Sequence, residues 1–321
     1  MVRKFTLKAS LLVLVGILML TLAACASSSK TTTEKPAAND SPTAKPEEKP
    51  EEAKELGPVL TRVKETGKMT TGFAAQTPPW RFHKMVNGKD TLAGFEVDLV
   101  YYITKEVEKY LGVPVELEIK ELQIDGALAA LQADKIDFAP TLSATEERKK
   151  NMDFSIPYHR SLQTIAIRTE DKDKPLFKEE NQLAGAKIGS IKGSSTSVTL
   201  LEKYPKAELF ELSKAPDILL SLLNKKVDAA VFNEKQGILY VKANPEIMLV
   251  DYLKYDVPKD RDPGASIAFP KGNEDFIELV DKVLNRILTD GTFAQFEKKS
   301  LEDLNDPDLL KGFTGENILN Q

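Results

Sequence analysis

Cysteine occurs once, tryptophan once and histidine twice in the whole chain, and each scarcity closes off a class of chemistry. One cysteine makes no internal disulfide, so a folded body must be held by its own core. His83 and His159 stand far apart, and no spacing such as His-Glu-x-x-His occurs, so neither a metal nor any cofactor is expected. The net charge of −5 is spread over both signs with no basic block, which argues against a nucleic-acid partner. Beyond Leu22 there is no further apolar run long enough to span a bilayer.

What is present begins with Arg3, Lys4 and Lys8 ahead of an apolar run from Leu11 to Leu20, broken only by Gly16. That run is short for a membrane span and fits the apolar part of a signal peptide over 1–24. It closes on Leu22-Ala-Ala-Cys25. Small residues before a cysteine resemble the bacterial lipobox, in which the thiol is acylated. Cys25 is therefore the expected lipidation site, and two or three acyl chains anchor stably where one does not. An ordinary secretion signal with an incidental cysteine is the plain alternative. From Cys25 to Leu56 no large apolar residue appears, while Pro36, Pro42, Pro46 and Pro50 punctuate a run of Ser, Thr, Glu and Lys. Such a stretch buries no surface, so 25–57 is expected to be a tether.

From about Pro58 the pattern alternates strand-like and helix-like segments, as in an α/β sheet with covered faces. Leu99, Ile103 and Val107, widened by Val100, predict an amphipathic helix over 95–111 that Gly112 ends. Val113, Val115, Leu117 and Ile119 alternate as a strand does. The segment Asp125 to Asp137 reads as an N-capped helix feeding a strand over 136–139. About ninety residues later Asp217 to Asp228 repeats it, feeding a strand over 227–232. Two copies at this spacing predict two similar lobes, unless two generic helix–strand pairs coincide by chance.

Several local patterns then line up in order: Thr77-Pro-Pro-Trp-Arg-Phe82, Gly94-Phe-Glu-Val-Asp-Leu99, the run Lys135 to Arg148, Asp153-Phe-Ser-Ile-Pro-Tyr158, the run Gly185 to Ser195, Lys226-Val-Asp-Ala-Ala230 and Asp290-Gly-Thr-Phe293. Together they resemble the family 3 extracellular solute-binding proteins, which serve ABC importers of polar amino acids. The resemblance spans about 58–300. It implies a periplasmic-binding-protein-like clamshell: two α/β lobes joined by two crossing strands. Lobe 1 would be 58–158 plus 263–305, lobe 2 159–262, and 306–321 a C-terminal tail. The crossings would fall near Tyr158–Arg160 and Arg261–Ser266. The expected molecule is a lipid-anchored monomer on the outer face of the bacterial cytoplasmic membrane. Its partners would be a small-molecule ligand, an amino acid, and the ABC transporter permease.

Ligands of open α/β sheets sit beyond the carboxyl ends of strands, where both repeated units deliver polar groups. Ser143-x-x-Glu146 reads as a capping box that places Arg148 in the first turns of a helix. A guanidinium grips a carboxylate bidentately, and the resemblance implies that Arg148 holds the ligand α-carboxylate; a solvated helix arginine is the alternative. Gly193, Ser194 and Ser195 open a helix whose free N–H groups favour an anion, implied to act on the same carboxylate from the other lobe. Thr141 and Ser143 would accept from the ammonium, or cap the helix. Asn233 stands where the family carries an Asp, so either Glu234 substitutes or the ligand is not a standard α-amino acid. The family's aromatic is replaced by Thr77, and its Ser by Pro140. Trp80 and Phe82 offer stacking surfaces, with core packing equally open for Phe82, and Ile124 would line the pocket. A clamshell-derived enzyme of dehydratase type and a ligand-sensing receptor are the rival readings.

Overall fold

The computed structural model describes residues 55–178 and 183–319. Cys25, the signal segment 1–24 and the tether up to residue 54 lie outside the described residues. No helix among the described residues is long and apolar enough to cross a membrane.

The chain first lays down α1 (Pro58–Thr66), β1 (Lys68–Phe73), the hairpin β2 (Phe82–Val86) and β3 (Lys89–Ala93), and α2 (Phe95–Leu111). β4 (Glu116–Glu121), α3 (Ile124–Gln132), β5 (Ala139–Ser143), α4 (Glu146–Lys149) and β6 (Asp153–Phe154) complete this stretch. The amphipathic stripe behaves as its period predicts: Leu99, Val100, Ile103 and Val107 are buried, and Gly112 at φ 69° closes the helix with its N–H on Glu108 O. β1 pairs in parallel with β4, and Thr71 bridges to Phe138 just ahead of β5.

The second stretch is β7 (Gln163–Arg168), β8 (Lys187–Ile191), α5 (Ser195–Lys203), β9 (Glu208–Leu212), α6 (Ala215–Leu223), β10 (Ala229–Asn233), α7 (Glu234–Ala243) and β11 (Ile247–Leu249). Its strands form one sheet in the order β11-β7-β10-β8-β9. Both faces are covered, as near-continuous apolar strands require. Ile165, Ile167, Ala229 and Val231 point to one core cluster, and Ala166, Ala230 and Phe232, the alternate residues, to the other.

The chain then returns through β12 (Ala265–Phe269), which pairs antiparallel with both β5 and β6. Helices α8 (Glu274–Thr289) and α9 (Thr292–Asp303) follow. Phe276, Val280, Leu284 and Phe293 from these helices join Leu99, Val100 and Ile103 in one core. Residues 306–321, set apart by sequence as a tail, carry α10 (Pro307–Lys311) and α11 (Gly315–Leu319). Phe313 and Ile318 pack with Leu222 and Tyr240, and Gly315 N–H donates to Asn244 Oδ1 at 2.8 Å.

The internal repeat is reproduced atom for atom at its last residue. Asp137 N–H donates to Thr70 O at 2.8 Å while its carboxylate accepts from Thr70 N–H at 2.7 Å. Asp228 repeats both bonds with Lys187, at 2.8 and 2.9 Å. Each copy therefore fastens its strand to the start of the neighbouring one. The starts of the repeat differ from expectation. Asp125 and Asp217 lie inside the first turns of α3 and α6, where the helix dipole favours acids, and the N-caps are Gln123 and Lys214. The strands also begin later, at Ala139 and Ala229.

Two segments connect the lobes and pair with each other. Ala265 accepts from Tyr158 N–H and donates to His159 O, both at 2.8 Å. Gln163 and Tyr255 exchange two backbone bonds of 2.8 and 3.0 Å. Arg160 staples the crossings through Val257 O (2.7 Å), Asp262 O (2.6 Å) and Asp256 (2.9 Å). Gly264, at φ 117°, has no room for a side chain there: a Cβ would stand 2.6 Å from His159 O.

Candidate functional site

Between the lobes lies a cavity of about 180 Å³, room for one small solute. Thr77, Trp80, Ile124, Thr141, Ser143 and Arg148 line it from one side, and Ser194, Ser195 and Asn233 from the other.

Thr141 has a backbone unusual for its type, φ +68°, a conformation that persists only where the surroundings over-determine it. They do. Tyr158 Oη accepts from Thr141 N–H at 2.9 Å. The Thr141 hydroxyl donates to Glu96 and accepts from Arg81 Nη1 at 2.8 Å. Glu96 is wholly buried, pairs with Arg81 at 3.2 Å and accepts from the Tyr158 hydroxyl. Burial and the neighbouring Glu96 carboxylate push the Tyr158 phenol well above its ordinary range, so it stays a donor. Arg81 Nη2 reaches Thr77 Oγ1 at 3.0 Å. Sequence reasoning assigned no role to Arg81 or Glu96. The signal was there: Glu96 falls on the Val100, Ile103 and Val107 stripe, where a charge needs a buried partner.

Arg148 donates from Nη1 to Ser143 O at 3.1 Å and from Nη2 to Gly193 O of the opposite lobe at 2.6 Å. Burial pulls its affinity for the proton down, offset by Asp262, Glu147 and Asp125; an arginine remains charged through such a shift. No carboxylate among the described residues pairs with it. The cap of α4 is Thr145, whose hydroxyl oxygen accepts from Arg148 N–H, and not Ser143 as the capping-box pattern suggested. Ser143 is the last residue of β5 and is free of capping. Its hydroxyl meets the Ser195 hydroxyl across the cleft at 3.2 Å. Thr141 likewise lies within β5, which runs four residues beyond the expected strand end at Ala139.

On the other side, Ser194 is the cap of α5: its oxygen accepts from Ser197 N–H and its hydroxyl donates to Ile191 O at 2.7 Å. The Ser195 hydroxyl donates to Asp262. Asn233 Oδ1 accepts from Gln163 Nε2 at 3.1 Å, and Gln163 Oε1 accepts from Thr196 at 3.3 Å. Glu234 lines a separate hollow and pairs with Lys254. Trp80 is 3% exposed and packs tilted against Phe95 and edge-on to His159 at centroid distances of 5.5 and 5.7 Å, so it is mostly core while still lining the cavity. Phe82 is core alone. Asp262 and Gln163, both on the cavity wall, escaped sequence reasoning because only the fold brings them to Ser195 and Asn233.

Comparison with known proteins places this arrangement. The family described as bacterial extracellular solute-binding proteins, family 3, matches residues 69–303. A protein of Campylobacter jejuni named "Probable histidine-binding protein" is 30% identical over 72% of this chain and 84% of its own. The ABC transporter glutamine-binding protein GlnH of Bacillus subtilis is 26% identical over 76% and 85%. The crystal structure of AbpA from Streptococcus pneumoniae, an amino acid ABC transporter substrate-binding protein bound to L-arginine, superposes with a TM-score of 0.66 at 26% identity. That match covers 76% of this chain and 98% of AbpA.

Proposed function

Because the chain belongs to the family 3 bacterial extracellular solute-binding proteins, we propose that it is the extracellular substrate-binding component of an ABC importer, capturing an amino acid by closure of its two lobes. The observation that carries this reading is Arg148: a guanidinium at the cleft, bonded among the described residues to carbonyl oxygens alone, is a fork awaiting an anion. The Arg148 guanidinium and the Ser195 hydroxyl take the α-carboxylate, one from each lobe. Thr141 and Ser143 supply oxygens to the amine end. Thr77, Ile124 and the edge of Trp80 bound the side chain, and Asn233 and Ser194 complete the wall of lobe 2.

Closure follows from where the contacts lie. Ser143–Ser195 and Arg148–Gly193 already join the lobes, and a ligand bound to both sides adds contacts that only the closed form makes. Ligand therefore shifts the population toward closure, the state a permease reads. The molecule binds and releases its solute unchanged, as its relatives are named for binding. Acylated Cys25 holds it to the outer face of the membrane, a reading that rests on the sequence of the N-terminal segment. Labelling with a fatty-acid probe, lost in Cys25→Ser, tests the anchor.

The function is tested by a thermal-shift screen of L-arginine, L-histidine, L-glutamine and L-cystine, followed by calorimetry and mass spectrometry of the recovered solute. Saturable 1:1 binding with the solute intact is expected. No stabilisation by any amino acid refutes the reading, and a chemically altered solute replaces it with catalysis.

A further inference from the structure

An α-amino acid brings an ammonium as well as a carboxylate, and a buried ammonium without a counter-charge is costly. Asn233 carries no charge, and its side-chain oxygen is already bonded to Gln163. Glu234 lines a separate hollow and pairs with Lys254. Among the described residues, the acids on the cleft wall are Asp256 and Asp262. Asp256 is paired with Arg160 at 2.9 Å. Asp262 has no cationic partner among the described residues. Its Oδ1 accepts from Gly264 N–H at 2.8 Å, which fixes it to the second crossing, and its Oδ2 accepts from the Ser195 hydroxyl.

Resting on the functional reading above, we infer that Asp262 supplies the counter-charge for the ligand ammonium, in place of the uncharged Asn233. The Ser195 hydroxyl has one proton to give. When an incoming carboxylate takes that proton's hydrogen bond, Asp262 Oδ2 loses its donor, and an unpaired carboxylate oxygen in a closing cleft must find another. The ammonium, one carbon from the carboxylate, brings three. One ligand thus exchanges the Ser195–Asp262 bond for two charge-assisted ones. Arg148 and Asp262, flanking Ser195, then form a cation–anion pair of sites matched to a zwitterion.

The test is calorimetry on the full chain with L-arginine, L-glutamine and L-histidine and their desamino counterparts, 5-guanidinovalerate, glutaramate and imidazolepropionate. The wild type is expected to prefer the amino acid that it binds tightest over that acid's desamino form. Asp262→Asn is expected to reduce that preference by roughly 10- to 100-fold, the worth of one hydrogen bond to a charged group; Asp262→Ala makes the same comparison should the amide fail to fold. A preference unchanged by the substitution overturns the inference, whether affinity is retained or both probes weaken equally, because Asp262 is then only a strut of the crossing. A wild type that binds neither these three nor any other amino acid refutes the functional reading, and this inference with it.

Discussion

The most demanding consequence of the buried network concerns Glu96. Replacing it by alanine removes the acceptor shared by Arg81, Thr141 and Tyr158. The Arg81 side chain is only 7% exposed, so its charge would be left in the interior without a counter-ion. Breaking a buried pair from one side costs roughly 3–5 kcal/mol. For a body of this size each kcal/mol moves the melting temperature by about 2–4 °C, so Glu96→Ala should melt on the order of 10 °C lower. Arg81→Met removes the charge itself, and the double variant should recover part of the loss. The assay is a double-mutant cycle by urea and thermal melts of the four proteins, with a coupling of about 2 kcal/mol expected. Additive losses, or a Glu96→Ala protein that melts within about 2 °C of the parent, would refute the claim that these charges hold Thr141 as a unit.

Three further outcomes follow from other parts of the molecule. The Glu297 carboxylate accepts from His159, at 3.2 Å, and from Lys235, and these bonds hold it at about 2, below its ordinary 4.5. Its stabilisation is complete above about 4.5 and is lost as pH falls toward about 2. Acid melts should show roughly 1–2 kcal/mol of this dependence, screened by solvent and absent from Glu297→Gln. Deleting 306–321 strips Phe313 and Ile318 from the second lobe's core and should cost roughly 2–4 kcal/mol in urea melts; an unchanged midpoint would show that the helices merely rest there. Gln76 Oε1 is buried on the cavity wall with no donor among the described residues, so Gln76→Leu should weaken calorimetric affinity for the native solute by roughly 10-fold, and full retention would remove it from the site.

Much of this was legible in the residues because it is local. The stripe of α2 with its closing glycine, the Gly-Ser-Ser turn into α5 and the duplicated helix–strand unit are all set within a few residues of each other. The errors are local too. Pro216 is accommodated in the first turn of α6, and the helix starts before Asp217. Ser143 and Thr145 both offer a cap to α4, and the hydroxyl nearer the helix takes it, which frees Ser143 for the cleft. The Glu96–Arg81 pair was half legible, as a charge on an apolar stripe without a visible partner. Asp262 was not legible at all. Its meeting with Ser195 spans 67 positions and exists only because the second crossing runs past the start of α5.

The central claim is that Arg148 clasps the acid end of the solute between the lobes. Calorimetry of Arg148→Ala beside the wild type, on protein whose melting temperature is matched, measures it directly. A loss of roughly 100-fold or more with the fold intact is the result this account predicts. Affinity equal to that of the wild type would contradict it.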